Sequence, residues 1–259
     1  MTTPGTLLHG LVRDLQIFII FCTRLPLTHA KPIEASDIAR ASWAMPVAGV
    51  VVGLIGAAVY WLTSAVGLPP FAAAALTLAA TLITTGCLHE DGLADTADGF
   101  GGGASRERKL EIMRDSRIGT YGACALVLSL LLRWSALASI ANPTTVALAL
   151  IAAHAAARAP LPAFMRFVPP ARSDGLAAAA GLPPREGAAA ASFLGAVALG
   201  LCLGPAAVII GLLLLSTAAI LMAWLSMKQI GGQTGDVLGA LEQIGEILIL
   251  LTAAALLKI

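Results

Sequence analysis

The segment around residues 89–98 contains the residues whose types and spacing most clearly suggest chemistry. It holds four acids within nine positions, namely Glu90, Asp91, Asp95 and Asp98. If the segment is helical, Asp91, Asp95 and Asp98 share one face, and their like charges repel one another. Mg²⁺ relieves such repulsion because it prefers carboxylate and phosphate oxygens as ligands. The spacing therefore favours a magnesium site over the alternative interpretation, a solvated acidic surface.

His89 directly precedes the first two acids of this segment, Glu90 and Asp91. A histidine can exchange a proton near neutral pH, so His89 is a candidate general acid or base. The alternative is a local role in which His89 pairs with Glu90 or caps the segment, and the sequence leaves both interpretations open. The spacing of the acids differs from that of an EF-hand, so calcium sensing is not expected.

Glycines and basic residues follow the acidic segment. Gly101, Gly102 and Gly103 provide backbone that can approach an anion closely. The charged residues that come next are Arg106, Arg108, Lys109, Arg114, Asp115 and Arg117. Arginine can bind phosphate through two parallel hydrogen bonds, although basic residues beside a membrane also reflect topology and contacts with lipid headgroups. Acids, glycines and arginines together predict a metal–phosphate site of the kind that phosphoryl transfer uses.

The composition indicates what kind of protein positions these residues. Only 12% of the 259 residues are charged, against about 25% in soluble domains. Hydrophobic residues make up 58%, and the formal net charge is +1. These values exclude an ordinary soluble enzyme and a disordered chain, and the lack of a basic excess excludes a nucleic-acid-binding protein. A polytopic membrane protein remains.

Charge-free stretches divide the chain into predicted membrane spans. A helix needs about 20 apolar residues to cross the hydrocarbon core of a bilayer. With breaks at turn-forming residues, the spans lie near 43–66, 70–88, 118–140, 144–163, 187–203, 206–227 and 237–257. The segment 7–21 contains Arg13 and Asp14 and fits either a span or an interfacial helix. We predict an all-α, polytopic integral membrane protein in which residues 1–259 form one catalytic domain, a bundle of about 7–8 membrane helices.

Uncharged and charged loops alternate along the predicted topology. Short uncharged turns near 67–70, 141–143 and 204–205 define hairpins, and hairpins place all other loops on the opposite side of the membrane. Those other loops hold most of the charge and lie near 24–40, 89–117, 158–186 and 228–236. An excess of Lys and Arg marks the cytoplasmic side, so we expect the chemistry to occur there. The N-terminus does not resemble a cleaved signal peptide.

Glu242 and Glu246 are four residues apart within the last predicted span. Acids inside a membrane are candidates for function, here as part of the wall of a substrate pocket. The alternative is ion pairing with Arg133 or Arg158, and the sequence leaves both interpretations open.

Three motifs give the chain a family resemblance. Residues 89–100, HEDGLADTADGF, resemble the signature of the cobalamin synthase family, whose members are adenosylcobinamide-GDP ribazoletransferases. The resemblance continues through residues 108–122, RKLEIMRDSRIGTYG, and recurs at 231–240, GGQTGDVLGA. Residues 21–26, FCTRLP, fit the same pattern near the start. The resemblance therefore covers nearly the whole chain.

The resemblance implies a reaction and its setting. Members of this family join adenosylcobinamide-GDP to α-ribazole or its 5′-phosphate and release GMP, a late step in the biosynthesis of cobalamin, vitamin B12. The resemblance also implies a Mg²⁺-dependent, multi-pass enzyme of the cell inner membrane, with its active site on the cytoplasmic side. The sequence is compatible with an oligomer as well as a monomer.

Carried over residue by residue, the resemblance also implies roles for side chains of this chain. The catalytic residues are expected to be His89, Asp91, Asp95 and Asp98. The expected metal ligands are Glu90, Asp91, Asp95, Asp98 and Asp236. The expected substrate and phosphate ligands are Arg24, Arg114, Asp115, Arg117, Arg172, Gly231, Gly232 and Thr234.

Two other functions fit parts of the pattern. A CDP-alcohol phosphotransferase also places aspartates at a membrane boundary, but its Asp-Gly is followed by Ala-Arg, which the segment 91–95 does not supply. A secondary transporter with Glu242 and Glu246 as coupling sites is expected to show two related halves with broken helices, and no second half is visible.

Overall fold

The computed structural model describes the backbone of residues 4–28 and 32–257, and the side chains of these residues apart from 4–8, 176 and 177. Its α-helices are, in chain order, α1 (Pro4–Cys22), α2 (Ala35–Ala41), α3 (Met45–Ala65), α4 (Pro70–Thr85), α5 (Leu88–Gly102), α6 (Arg106–Ile112), α7 (Thr120–Ile140), α8 (Pro143–Arg158), α9 (Leu161–Phe167), α10 (Leu176–Ala180), α11 (Arg185–Leu203), α12 (Pro205–Ile230) and α13 (Gly235–Leu256). A 3₁₀ turn, Ser42–Ala44, joins α2 to α3. The described ranges contain no β-strand, so the predicted all-α class is confirmed.

Six helical segments are long and apolar enough to cross a membrane, or seven if the bent pair α4 and α5 counts as one span. The six are Ala35–Ala65, Thr120–Ile140, Pro143–Phe167, Arg185–Leu203, Pro205–Ile230 and Gly235–Leu256. The predicted polytopic helical membrane protein is therefore confirmed. The predicted span near 70–88 corresponds to α4, which meets these criteria only together with α5, and α1 is not among the six.

Polar contacts in the middle of α1 explain the charges that interrupt its apolar run. Arg13 Nη2 lies 3.0 Å from Asp37 Oδ1 on α2, and Arg40 on α2 pairs with Asp14. Trp43 Nε1 donates a hydrogen bond to Asp14 Oδ2 at 2.9 Å. These contacts tie α1 to the start of the segment that contains α3.

Three helical hairpins form the frame of the bundle. The pairs α3–α4, α7–α8 and α11–α12 are joined by turns at 66–69, 141–142 and 204, as the uncharged breaks predict. The other connections, at 23–34, 86–119, 159–184 and 231–234, form what we call the charged face. The connections 86–119 and 159–184 contain the helices α5, α6, α9 and α10, and α2 begins within the predicted loop near 24–40. Residues 29–31 of the predicted 24–40 loop lie outside the described ranges.

The helices differ in how much of their apolar surface other helices cover. α8 and α13 lie in the centre, whereas α7, α11 and α12 leave large apolar side chains exposed, among them Leu131, Leu201 and Ile220. Exposed apolar surface on this scale is unfavourable in water and is suited to lipid. The central helices contact one another through small residues such as Gly245 and Ala157, since a Cβ at Gly245 would lie 3.1 Å from Ala157 Cα.

A sharp bend between α4 and α5 positions the acidic segment. Gly86 and Cys87 both have left-handed backbone conformations, with φ of 62° and 58°. Glycine adopts this conformation without strain, whereas Cys87 does not, so the bend is held by its surroundings. α5 consequently leaves α4 at 89°. We treat α5 as running along the charged face, outside the membrane-spanning segments, because it leaves α4 at 89° and carries four acids.

Candidate active site

The acidic segment forms helix α5, so its acids have the helical spacing that the sequence suggested. The three aspartates differ in exposure: Asp91 is exposed, Asp95 is half-buried and Asp98 is buried. Buried residues recur along the helix from His89 to Gly99, so α5 lies along the charged face with one side packed against the bundle. The carboxylates of Asp91, Asp95 and Asp98 therefore have different neighbours.

Asp236 reaches this segment through a close crossing of α5 and α13. It lies in the first turn of α13, and a Cβ placed at Gly92 would lie 2.8 Å from the backbone oxygen of Asp236 and 3.0 Å from its Cα. Only glycine permits helices to approach so closely. The crossing brings together Asp91, Asp95 and Asp236, which we call the open cluster.

The open cluster has an excess of negative charge. No side-chain hydrogen bond or ion pair of Asp91 or Asp95 occurs within residues 4–28 and 32–257. Burial raises the pKa of Asp95 to about 7, and the charges of Asp91, Asp236 and Asp98 act in the same direction. The nearest cation to Asp236 is Arg172, whose Nη2 lies 3.9 Å from Asp236 Oδ2. Carboxylates held together without a close protein cation favour binding of an external one.

Asp98 makes contacts that the sequence did not predict. Its Oδ2 accepts a hydrogen bond from the backbone N–H of Gly119 at 2.6 Å, and its Oδ1 accepts one from Gly122 at 2.8 Å. These amides lie at the N-terminus of α7, where a carboxylate complements unpaired N–H groups and the helix dipole. Asp98 therefore ties α5 to α7, and its assignment as a metal ligand and catalytic residue stays a prediction.

Ion pairs fill the interior beside α5. We call this set the buried network, and its members are Glu90, Glu242, Glu246, Arg133, Arg158, His89 and His154. Arg158 Nη1 lies 2.5 Å from Glu242 Oε1. Arg133 Nη1 lies 3.0 Å from Glu90 Oε1 and 3.1 Å from Glu246 Oε1. The interpretation that Glu242 and Glu246 pair with these arginines is confirmed. Glu90 joins the same pairs, and its assignment as a metal ligand stays a prediction.

His89 is the member of the buried network that directly precedes Glu90 and Asp91 on α5. Its Nδ1 lies 3.3 Å from Arg158 Nη2. A guanidinium group only donates hydrogen bonds, so Nδ1 accepts, and we assign the ring proton to Nε2. This tautomer makes His89 a hydrogen-bond donor through Nε2. Its role as general acid or base stays a prediction.

Arg114 and Arg117 on the charged face differ in the partners of their ion pairs. Arg114 pairs with Asp174, which lies on the connection between α9 and α10, so this ion pair joins two loops. Arg117 instead pairs locally: its Nη2 lies 2.6 Å from Asp115 Oδ2, and its side chain is 85% exposed. Hydrogen bonds from Arg117 lower the pKa of Asp115 to about 2.

Arg24 and Arg172 approach the site from different sides. The Arg24 side chain lies against the α4–α5 bend, where a Cβ at Gly86 would collide with it. Arg172 is half-buried beside Asp236, and its Nη1 is buried without a hydrogen-bond partner. A buried guanidinium nitrogen without a partner is well suited to an anionic oxygen.

The predicted ligands Gly231, Gly232 and Thr234 build the turn between α12 and α13. Thr234 caps α13, because its hydroxyl oxygen accepts a hydrogen bond from the N–H of Val237 at 3.3 Å. Gly232 packs against the backbone at Pro169, where a side chain would not fit. The turn therefore fixes the start of α13 and with it Asp236. The substrate contacts of the three residues stay predictions.

Two cavities flank α5. The apolar cavity, of about 210 Å³, is lined by Phe21, Cys22, Ile38, Met45, Leu88, His89, Asp91, Arg158, Leu161, Met165, Ala180, Gly235, Asp236, Leu238 and Gly239. The polar cavity, of about 490 Å³, is lined by Leu82, Cys87, Glu90, Asp91, Ala94, Asp95, Met113, Arg114, Asp115, Ser116, Ile118, Leu126 and Leu130. Asp91 borders both. Neither Glu242 nor Glu246 lines either cavity.

Comparison with known proteins gives the same family as the motif on α5. Residues 14–254 match the family model of cobalamin-5-phosphate synthase. The chain belongs to the cobalamin-5-phosphate synthase family. The resemblance seen in the sequence is thereby confirmed.

Curated relatives of this synthase family match over almost the full length of the chain. The protein from Bradyrhizobium diazoefficiens is 61% identical over 253 residues, which cover 97% of each chain. The protein from Mesorhizobium japonicum is 54% identical over 245 residues, covering 95% of this chain and 94% of the relative. Both are named adenosylcobinamide-GDP ribazoletransferase. No solved structure matches the chain.

Some contacts of this cobalamin-5-phosphate synthase family member were not anticipated from the sequence. His154 Nδ1 lies 3.2 Å from Glu246 Oε2, although nothing near His154 in the sequence suggests a site. Arg106 donates to the backbone oxygens of Ile230 at 2.7 Å and Ala171 at 2.5 Å, and so joins α6 to two other connections. The signal for His154 was its place in an otherwise apolar span, since polar residues there usually have a function or a partner.

Proposed function

We propose that this protein joins adenosylcobinamide-GDP to α-ribazole or α-ribazole 5′-phosphate and releases GMP, as the names of its relatives describe. The observation that best supports this proposal is the open cluster: within the described ranges Asp91 and Asp95 have no ion-pair partner, and both border a cavity that Arg114 also lines. Such an arrangement suits a metal ion and the phosphates of an activated substrate.

We further propose that the protein depends on Mg²⁺ and that Asp91, Asp95 and Asp236 hold the ion. The donors fit, because all three are carboxylates, which Mg²⁺ prefers, and because burial, together with the charges of Asp91 and Asp236, raises the pKa of Asp95. When bound, the ion would neutralise phosphate oxygens during transfer. Glu90 and Asp98, the other two predicted ligands, already have protein partners and would support the arrangement.

Side chains around the cluster would bind and orient the substrates. Arg114 and Arg172 border the open cluster from two sides and would hold the pyrophosphate and the departing GMP through charge-assisted hydrogen bonds. His89 would donate a hydrogen bond through Nε2 to a substrate oxygen. Asp98 and the glycine at position 92 would keep α5 fixed against α7 and α13.

We propose that the protein lies in the cell inner membrane with the charged face in the cytoplasm. The uncharged turns at 66–69, 141–142 and 204 lie opposite that face, whereas basic residues such as Arg106, Arg114 and Arg166 are on it. This asymmetry follows the rule that positive loops remain on the cytoplasmic side. The proposed active site would then face the cytoplasm.

A reconstituted assay tests this function. Purified protein in detergent is incubated with adenosylcobinamide-GDP, α-ribazole 5′-phosphate and Mg²⁺, and GMP and the corrinoid product are quantified by chromatography. We expect equal amounts of GMP and product, loss of both on chelation, and recovery when Mg²⁺ is restored. Absence of GMP under all conditions would contradict the function. Turnover that survives chelation would contradict only the metal assignment.

A further inference from the structure

The two cavities beside α5 meet at one carboxylate. Asp91 borders the apolar cavity together with Asp236, and it borders the polar cavity together with Asp95. Phosphoryl transfer requires the attacking and leaving oxygens to lie on opposite sides of the phosphorus. A phosphorus atom placed at Asp91 could be approached by the attacking oxygen from one cavity and could release the leaving oxygen into the other.

The apolar cavity has the size and lining of a site for one small aromatic ring system. Its volume of about 210 Å³ lies below the roughly 300–1,000 Å³ that drug-sized ligands fill, so it is too small for a corrin ring. Its walls come from buried or half-buried apolar residues, including Met45, Leu161 and Met165. Its polar groups are His89, Asp91, Arg158 and Asp236, all of which belong to α5, α8 or the first turn of α13.

The polar groups of the apolar cavity are suited to hydroxyl groups more than to phosphate. Arg158 is the one cation in its lining, and Glu242 neutralises it at 2.5 Å. Asp91 and Asp236 add negative charge there. A phosphate would be repelled, whereas a ribose hydroxyl could donate to a carboxylate and accept from His89 Nε2.

The polar cavity is more than twice as large, at about 490 Å³, and is lined by Arg114 and by the carboxylates of Glu90, Asp91, Asp95 and Asp115. Glu90 and Asp115 are paired with Arg133 and Arg117, so Asp91 and Asp95 are the carboxylates there that the proposed metal ion would neutralise. The partner of Arg114, Asp174, is exposed, so the guanidinium can exchange that contact for a phosphate at little cost. This side therefore suits a pyrophosphate held beside Asp91 and Asp95.

We propose that the apolar cavity is the pocket for the uncharged bicyclic base of the ribazole substrate, and that the polar cavity receives the pyrophosphate of the corrin-bearing substrate. This inference rests on the proposed function. The base is a benzimidazole, an apolar and planar group, and its burial would place the attached ribose at Asp91.

The transfer reaction then joins the ribazole substrate in the apolar cavity to the corrin-bearing substrate in the polar cavity. A ribose hydroxyl oxygen forms a bond to the phosphorus that carries the corrin side chain, and the bond from that phosphorus to the GMP oxygen breaks. The hydroxyl proton passes to the acids around Asp91 and on to water, and GMP leaves with the bonding electron pair. No oxidant or further reactant is needed.

A pair of matched substitutions on α10 tests the assignment. Ala180 is buried and lines the apolar cavity, whereas the adjacent Ala179 is exposed and does not line it. Ala180→Leu should fill part of the pocket and raise KM for α-ribazole at least about 10-fold, with KM for adenosylcobinamide-GDP and kcat nearly unchanged. Ala179→Leu should leave all three constants unchanged. Ala180→Val provides a smaller addition if the leucine variant does not fold.

Arg114→Gln is the reciprocal test, since it should raise KM for adenosylcobinamide-GDP and leave KM for α-ribazole unchanged. Free benzimidazole should compete with α-ribazole but not with adenosylcobinamide-GDP, and Ala180→Leu should weaken this inhibition. An unchanged KM for α-ribazole in the Ala180 variants, or an equal rise for both substrates, would overturn the pocket assignment.

The outcome also separates this inference from the proposed function. If the wild-type protein releases no GMP, the function fails, and equilibrium dialysis with α-ribazole and with benzimidazole still tests the pocket. Binding that Ala180→Leu weakens and Ala179→Leu does not would support the pocket. Absence of binding to the wild-type protein would overturn it. Normal turnover combined with unaltered Ala180 variants would overturn the pocket assignment alone.

Discussion

Two groups of acids lie on the same pair of helices, α5 and α13, and they differ in what balances their charge. In the buried network, Glu242 and Glu246 are inaccessible to solvent and face Arg158 and Arg133 at 2.5 and 3.1 Å. In the open cluster, Asp91 and Asp95 have no partner within the described ranges, and Asp236 has one arginine at 3.9 Å. The first group is neutralised by the protein, and the second is not.

Whether the protein balances the charge of an acid distinguishes structural acids from candidate catalytic acids more clearly than burial does. His154, Glu242 and Glu246 offer ligand atoms within 4.8 Å of one another, a spacing compatible with a metal ion. Arg133 and Arg158 already supply positive charge at that place, so an additional cation would be repelled. The open cluster has the opposite balance. We therefore expect substitutions in the open cluster to affect activity and those in the buried network to affect stability.

Asp95→Asn should have the largest effect on activity. We expect GMP release to fall on the order of 10³-fold or more, because the variant loses a charge that balances the phosphates through the metal. The midpoint of thermal unfolding in detergent should not fall, because the substitution relieves repulsion within the cluster. Glu111→Gln, a matched change on α6 at an exposed ion pair, should alter neither quantity. A strong loss of stability in Asp95→Asn would contradict the distinction between the two groups.

Arg133→Met should have the largest effect on stability. It leaves Glu90 and Glu246 without a cation in the interior, and loss of one partner of a buried ion pair costs roughly 3–5 kcal/mol. Unfolding in detergent should therefore occur at a lower temperature. Ser129→Ala, one turn away on α7, removes a single neutral hydrogen bond to Gln243 and should cost only about 1 kcal/mol. Equal stability of the two variants would show that the network is not structural.

Gly92→Ala tests whether the crossing of α5 and α13 assembles the open cluster. The added Cβ would meet Asp236 backbone atoms at 2.8–3.0 Å, so the helices must separate. A displacement of about 1 Å can reduce activity on the order of 10²-fold. Gly102→Ala on the same helix is the control, because its nearest side-chain contact would be 3.5 Å. Activity of Gly92→Ala equal to that of the control would exclude Asp236 from the site.

Substitutions of Arg114 and Arg117, two of the arginines on the charged face, should give the smallest difference in activity. Arg114→Gln should raise KM for adenosylcobinamide-GDP about 10- to 100-fold, the equivalent of one charge-assisted hydrogen bond. Arg117→Gln should change KM little, because Arg117 is exposed and pairs with the adjacent Asp115. Steady-state kinetics measures both. A larger effect at Arg117 would restore its predicted role as a phosphate ligand.

Most of the fold could be predicted from the sequence because its signals are local. The turn at 204 lies between two long apolar runs, and the helices on either side end within a few residues of their predicted limits. The interior of the 89–117 connection was less predictable, since α5 and α6 are too polar to stand out by hydropathy. The bend at Gly86 that directs α5 along the charged face has no periodic signal either.

The candidate site shows a similar division. The spacing of Asp91, Asp95 and Asp98 on one helix identified the acidic segment before any tertiary contact was known. The same spacing could not distinguish Asp95, which remains without a partner, from Asp98, which caps α7 through Gly119 and Gly122. That distinction depends on the N-terminus of α7, whose N-cap Gly119 lies 21 residues later in the chain than Asp98.

The sequence alone therefore determined the class of protein, the side on which its charge accumulates and the segment that carries its acids. These properties follow from hydropathy and helical periodicity, which act over neighbouring residues. The tertiary structure decided which acids are neutralised: Arg133 and Arg158 reach Glu246 and Glu242 only after distant helices pack together. The balance of charge depends on the distances between side chains in space. The crossing of α5 and α13 fixes these distances within the open cluster.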